Sequence, residues 1–199
     1  MTKLRGNVVS LGLSGPHLHP TKEMVRNLFG YTPLTIKREL NLEGHWLAWE
    51  RATIEGPGGF LLAVAIVGPC RERAQLELHD SHRAILRLPK LPERQSGDLD
   101  GTFGFTVVGP RGVVKVRNGA IIGAPHIHIP DTSPWAQHTT LAVHVMSSSA
   151  DLWYDDMPVK VGKHTATEVH LDREQALLAL GAGPYLVSAH TTKEESHEH

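Results

Sequence analysis

Apolar residues in this chain recur mostly with a period of two, in short runs divided by glycine and proline, which is the pattern of a β-rich protein. Val8-Val9-Ser10-Leu11-Gly12-Leu13 opens the series, and Trp46 to Ile54, Phe60 to Val67 and Ala74 to Leu78 continue it. The turn Gly56-Pro57-Gly58-Gly59 separates two of these runs, and Gly68-Pro69 ends another. Further strands are expected over Phe103 to Val108, Val113 to Val116, Ala120 to Ile122, Thr139 to Met146, Leu152 to Tyr154 and Ala166 to Leu171. Helical spacing intervenes from Thr21 to Phe29, where Met24, Val25, Leu28 and Phe29 share a face. Short helices are also expected over Asp80 to Leu88 and from Asp172 to Leu180.

The pattern is spelled twice. Gly15-Pro16-His17-Leu18-His19 follows the first strand, and Ala124-Pro125-His126-Ile127-His128 follows Ala120 to Ile122. Each phrase is later followed by an alternating strand with one further ligand-type residue, Glu77 in Gln75-Leu76-Glu77-Leu78 and His170 in Glu168-Val169-His170-Leu171, and then by a short helix. The fold class expected is therefore mainly β, two barrel-like halves from an internal duplication, with short helices. The expected partition is residues 1–95 and 96–185, with exchange of strands between halves left open, and 186–199 as a disordered polar tail. Leu91 to Thr102, with Pro92, Ser96-Gly97 and Gly101, reads as the connection.

At 199 residues and 40% hydrophobic content the chain can build a packed core without staples. A formal net charge of −1 gives no global field for nucleic acid or an anionic membrane, so neither is expected as a partner. The single cysteine, Cys70, excludes an internal disulfide and suits a reducing compartment. No apolar run approaches the ~20 residues that span a bilayer, and the N-terminus enters a strand-like segment without a signal peptide, so a cytoplasmic protein is expected.

Histidine is the outlier of the composition, with 14 residues. A His-X-His pair is then expected about once by chance, and three occur, at 17/19, 126/128 and 197/199. The last lies in the polar tail. On a strand, residues two apart point to one side, so His17 with His19, and His126 with His128, can each grip one ion. A third ligand from a neighbouring strand leaves a tetrahedral zinc with an open position, the arrangement that catalysis requires. A competing spacing, His17, His19, Glu23 and Gly30, fits the cupin pattern, but Glu23 falls in the helical segment rather than on a strand. Gly68-Pro69-Cys70-Arg71-Glu72-Arg73 precedes Glu77, and the guanidinium of Arg71 can fork two oxygens of a phosphate or carboxylate.

These phrases together resemble the phosphate propanoyltransferase family, phosphotransacylases of the propanediol-utilisation type, from about Val8 to Leu180. The motifs that carry the resemblance are Ser14-Gly15-Pro16-His17-Leu18-His19, Gly68-Pro69-Cys70-Arg71 with Gln75-Leu76-Glu77-Leu78, and Ser96-Gly97-Asp98-Leu99. Pro125-His126-Ile127-His128, Tyr154-Asp155-Asp156-Met157-Pro158-Val159-Lys160-Val161 and Glu168-Val169-His170-Leu171-Asp172 follow in the family's order.

The resemblance implies two zinc ions per chain, one on His17, His19 and Glu77 and one on His126, His128 and His170, with Arg71 holding phosphate. It implies a zinc-dependent acyltransferase that exchanges coenzyme A and phosphate on a short acyl group, working as a homodimer. A zinc hydrolase of the same fold and a non-enzymatic metal-stabilised binding module are the alternatives. Where the family carries arginine directly before each His-X-His, this chain has Pro16 and Pro125. Related enzymes of bacterial microcompartments carry an added N-terminal targeting segment, whereas this chain starts almost at the first motif, so the open cytosol is expected.

Overall fold

The computed structural model describes residues 7–191. In chain order the elements are β1 (Asn7–Val8), β2 (Ser10–Ser14), β3 (His17–His19), α1 (Lys22–Phe29), β4 (Ile36–Glu39), β5 (Trp46–Gly56) and β6 (Gly59–Gly68). Then follow β7 (Gln75–Glu77), α2 (Asp80–Leu86), β8 (Glu93–Arg94), β9 (Phe103–Val108) and β10 (Val113–Gly123). The chain ends with β11 (His126–Pro130), β12 (Thr140–Met146), β13 (Asp151–Gly162), β14 (Glu168–Asp172), α3 (Arg173–Leu180) and β15 (Leu186–His190). The described residues fold as two compact units, one from Gly15 to Ala124 and the other from residues 7–14 together with 125–191.

The unit from Gly15 to Ala124 is a closed barrel. Its strands run β5-β6-β3-β7-β10-β9, and β9 closes the ring because it pairs with both β10 and β5. Closure removes the exposed edges that an open sheet would leave. The core is made by alternate strand residues such as Leu18, Ile54, Ile66 and Leu76, all fully buried, with Leu28 and Phe29 added by α1. That helix begins where the Thr21 hydroxyl accepts the Met24 N–H at 3.0 Å, and it stops at Gly30, whose φ of 82° is the left-handed cap that glycine adopts without cost.

The sequence pattern divides 113–123 into two strands, whereas the structure holds them as one. The pairing with β9 shifts between Val116 and Ala120, at Gly119, which has a φ of 147°. A side chain there would run into the Ala74 carbonyl oxygen, so glycine lets the strand turn the corner of the barrel without leaving the sheet.

The other unit is a curled sheet in the order β1-β15-β12-β13-β11-β14-β2. Both of its end strands come from one stretch, Asn7 to Ser14, with β1 beside β15 and β2 beside β14. Ile127, Ile129, Leu141, Val143, Val145, Met157 and Val169 face inward and are fully buried. α3 is capped by the Asp172 carboxylate, which accepts the Gln175 N–H at 2.9 Å.

Three boundary expectations are corrected. The units do not divide between residues 95 and 96, because the chain crosses from one to the other after Ser14 and again after Ala124. The proline and glycine of 91–102 read as a linker, but Leu91 and Leu99 are buried and β8 pairs with β10, so this stretch stays inside the barrel unit. The tail expected from 186 begins too early, since Leu186–His190 is a strand paired with β12 and its residues from Val187 to His190 are buried. Its few apolar residues sit next to a polar terminus that hid them, and the rest of that tail, from 192, lies outside the described residues.

Leu18 is fully buried between His17 and His19 and anchors β3 to the barrel core. Leu18→Ala is expected to cost about 2–5 kcal/mol, as deletion of a buried leucine does. A urea titration reads this as a lower midpoint, and an unchanged midpoint contradicts the packing.

Candidate metal centres

Each histidine pair stands on a strand with the same two kinds of neighbour. β3 has β6 parallel on one side and β7 antiparallel on the other, and β11 has β13 parallel and β14 antiparallel. The antiparallel register sets His17 opposite Glu77 and His19 opposite Gln75. In the second unit it sets His126 opposite His170 and His128 opposite Glu168. Four side chains therefore form a square on one face of each strand pair, and in each square three carry ligand atoms within 4.8 Å of one another. The structure places the six candidate ligands named from the sequence in two groups of three, one in each unit.

In the barrel unit the imidazoles are oriented by main-chain carbonyls. His17 Nδ1 lies 2.8 Å from the Gly15 oxygen and His19 Nδ1 3.2 Å from the Val67 oxygen. A carbonyl can only accept, so Nδ1 carries the proton in both rings and Nε2 is the atom left available to a metal. His17 Nε2 is 3.6 Å from one Glu77 oxygen and His19 Nε2 is 4.0 Å from the other. Burial holds the His19 pKa well below the ordinary histidine value, with the charges of His17 and Arg71 adding to the effect, so the ring stays neutral as a ligand must. Arg71 reaches the same nitrogen, donating from Nη2 to His19 Nε2 at 3.1 Å. Its neighbour Arg73 turns away to pair with Asp100 at 2.9 Å.

The second unit gathers more imidazole. The His128 ring stacks on His170 at 4.4 Å with 8° between planes, and His164 lies 4.4 Å from it on another side. Burial, followed by the neighbouring His170, His126, His164 and Lys160, lowers the His128 pKa to about 2. His170 Nε2 lies 2.8 Å from a Glu168 carboxylate oxygen. Gly12, paired with His170 across β2 and β14, keeps that ring in place, because a Cβ there would lie 2.9 Å from its Nε2.

Two imidazoles with a carboxylate, and three imidazoles, are donor sets that suit zinc with one coordination position left for a ligand. The neutral His19 and His128 fit that use. The cupin alternative does not fit, since Glu23 is exposed in the first turn of α1.

The family model for phosphate propanoyltransferase matches residues 10–180. The chain belongs to that family. It is 35% identical over 179 residues to a phosphate propanoyltransferase of Thermotoga maritima, covering 86% of this chain and 84% of the relative. To the enzyme of the same name in Clostridioides difficile it is 33% identical over 174 residues, 84% and 82% of the two chains. The Citrobacter rodentium enzyme is 28% identical over 188 residues, 92% and 89% of the two chains.

Within this acyltransferase family frame, the residues that the motifs contain without assigning them a role are neighbours of the candidate ligands and of Arg71. Gln75, Ser96 and Glu168 belong to this group. The alternation in Gln75-Leu76-Glu77 and Glu168-Val169-His170 was the available signal, since it puts both polar residues of each phrase on one face. Pro16 and Pro125 occupy the short links at which the chain passes from β2 to β3 and from β10 to β11. Among the described residues no helix is long and apolar enough to cross a membrane.

The depressed His128 pKa carries a pH dependence. Between the ordinary histidine value of 6.5 and about 2 the unfolded chain binds a proton there that the folded chain does not. Stability of the metal-stripped protein is therefore expected to rise with pH through this window and to be lost as pH falls below about 6.5. Thermal melts from pH 7.5 down to pH 5 check this, and a His128→Gln variant is expected to flatten part of the slope.

Proposed function

We propose that the protein is a zinc-dependent phosphate acyltransferase, interconverting a short-chain acyl-CoA and phosphate with an acyl phosphate and coenzyme A. What carries the reading is the pair of ligand triads on matching strand frames with a buried-side arginine against the first of them. His17, His19 and Glu77 would hold one zinc, and His126, His128 and His170 a second. When bound, zinc supplies Lewis acidity for a thioester carbonyl or a departing thiolate.

Arg71 supplies the anion grip. Its Nη1 donates to Gln75 Oε1 at 3.2 Å and to the Ser96 hydroxyl at 2.9 Å. The Nη2 contact with His19 Nε2 would be given up when zinc takes that nitrogen's one lone pair, which leaves Nε–H and Nη2–H for two oxygens of phosphate, the fork that suits a tetrahedral oxyanion. Burial lowers the Arg71 pKa from its ordinary value while the Glu77 charge works against that, and a guanidinium keeps its proton under such a shift. A phosphate oxygen then forms the new bond to the acyl carbon as the carbon–sulfur bond breaks, and coenzyme A leaves as its thiolate. No protein nucleophile is needed. Cys70 is unsuited to be one, because burial pushes its thiol pKa up and it packs against the barrel core. The homodimer enters this proposal on the family resemblance.

Release of coenzyme A from acetyl-CoA or propanoyl-CoA is expected to require phosphate, to stop on zinc chelation and to return with zinc. Release that persists without phosphate would reassign the protein to a hydrolase. Metal analysis is expected to find two zinc ions per chain, and a zinc-loaded protein that turns over no acyl-CoA fits the binding module instead.

Arg71→Ala is expected to lower kcat/KM for phosphate by about a hundredfold, the loss of a charged bidentate contact, while zinc content stays near the wild-type value. An unchanged kcat/KM would remove Arg71 from the phosphate site.

A further inference from the structure

The residue opposite His19 is Gln75, and its side chain is fully buried beside the first ligand triad. All of its hydrogen-bonding capacity toward Arg71, Glu77 and the 95–98 loop is taken. Nε2 donates to Glu77 Oε1 at 2.6 Å and to the Ser96 hydroxyl at 2.9 Å. Oε1 accepts from the Gly97 N–H at 2.8 Å and from Arg71 Nη1 at 3.2 Å. The amide cannot be turned over. Gly97 N–H can only donate and the Glu77 carboxylate can only accept, so oxygen must face the one and nitrogen the other.

We infer that Gln75 is a positioning residue that holds the metal-binding carboxylate of Glu77 and the anion-binding guanidinium of Arg71 in one rigid frame. The inference rests on the acyltransferase reading for the roles of those two groups. A buried amide makes this link where a charged residue could not. Glutamate at position 75 would set two carboxylates against each other across 2.6 Å, and lysine would place a cation against Arg71. The Ser96 hydroxyl ties the same frame to the loop, since it accepts both from Arg71 Nη1 and from Gln75 Nε2. Zinc and phosphate should therefore depend on a side chain that contacts neither. In the other unit the matching position is Glu168, a carboxylate against His170, so the fourth corner of that square is not an amide.

The test uses the full-length protein and two binding readouts that do not need turnover. Zinc affinity of the first triad is measured by chelator competition, with His126→Ala removing the second site, and affinity for inorganic phosphate is measured by calorimetry on the zinc-loaded protein. Gln75→Leu is expected to weaken zinc and phosphate together, each by about tenfold or more, the loss usual for partners of metal ligands. Loss of one with the other unchanged overturns the frame, and so does retention of both. Ser96→Ala, on a part-exposed loop, serves if the leucine variant fails to fold. It is expected to weaken phosphate several-fold and to raise its KM more than it lowers kcat, and an unchanged phosphate affinity in that variant also overturns the inference. Absence of acyl transfer in the wild-type protein would defeat the acyltransferase reading without touching either binding measurement.

Discussion

The antiparallel register between a histidine strand and its ligand strand is the constraint on which both centres rest. In a strand pair, residues directly opposite have their Cβ atoms about 5 Å apart, close enough for one ion to bridge both side chains. His17 opposite Glu77 and His126 opposite His170 use that spacing. A slip of one residue would turn every ligand to the other face and bring Leu18 and Ile127 outward. The apolar residues between the ligands thus hold the chemistry in place, because their burial specifies the register that assembles it.

The two squares share a frame and differ in filling. In the barrel unit the fourth corner is an amide that joins a carboxylate to an arginine, and the triad opens toward a cationic side chain. In the curled unit the fourth corner is a carboxylate, the neighbours are imidazoles, and His164 adds another ring. Charge therefore separates the two. One centre has a guanidinium against it, while in the other burial and the neighbouring imidazoles oppose protonation of His128.

Much of this was legible in the chain because ligands and core residues follow simple periods. The six candidate ligands sit in His-X-His phrases and in alternating strands, where a period of two fixes their side. The helix from Lys22 to Phe29 was marked by its apolar spacing, with Thr21 and Gly30 as its caps. What was hidden depends on long-range pairing. Leu91 and Leu99 lie among prolines and glycines that signal a linker locally, yet the barrel buries them. Gly119 reads as a break between two strands, whereas its open backbone conformation keeps one strand continuous around a corner. Alternation puts Gln75 on the face of Glu77, but only the approach of Ser96 and Gly97 from a distant loop shows what it holds.

The passage of the chain between units sets an order of assembly. Every strand of the barrel is present once Ala124 has been synthesised, so its ring can close while the remainder is still being made. The curled sheet must wait, since Ser10 pairs with Glu168 and Asn7 with Ala189. Until those partners emerge from the ribosome, the apolar stretch from Val8 to Leu13 lacks the strands it pairs with, the state in which a strand recruits strangers. All three candidate ligands of the first triad lie before Ala124, whereas the third of the second, His170, arrives only with β14. The two triads are thus completed at different points along the chain.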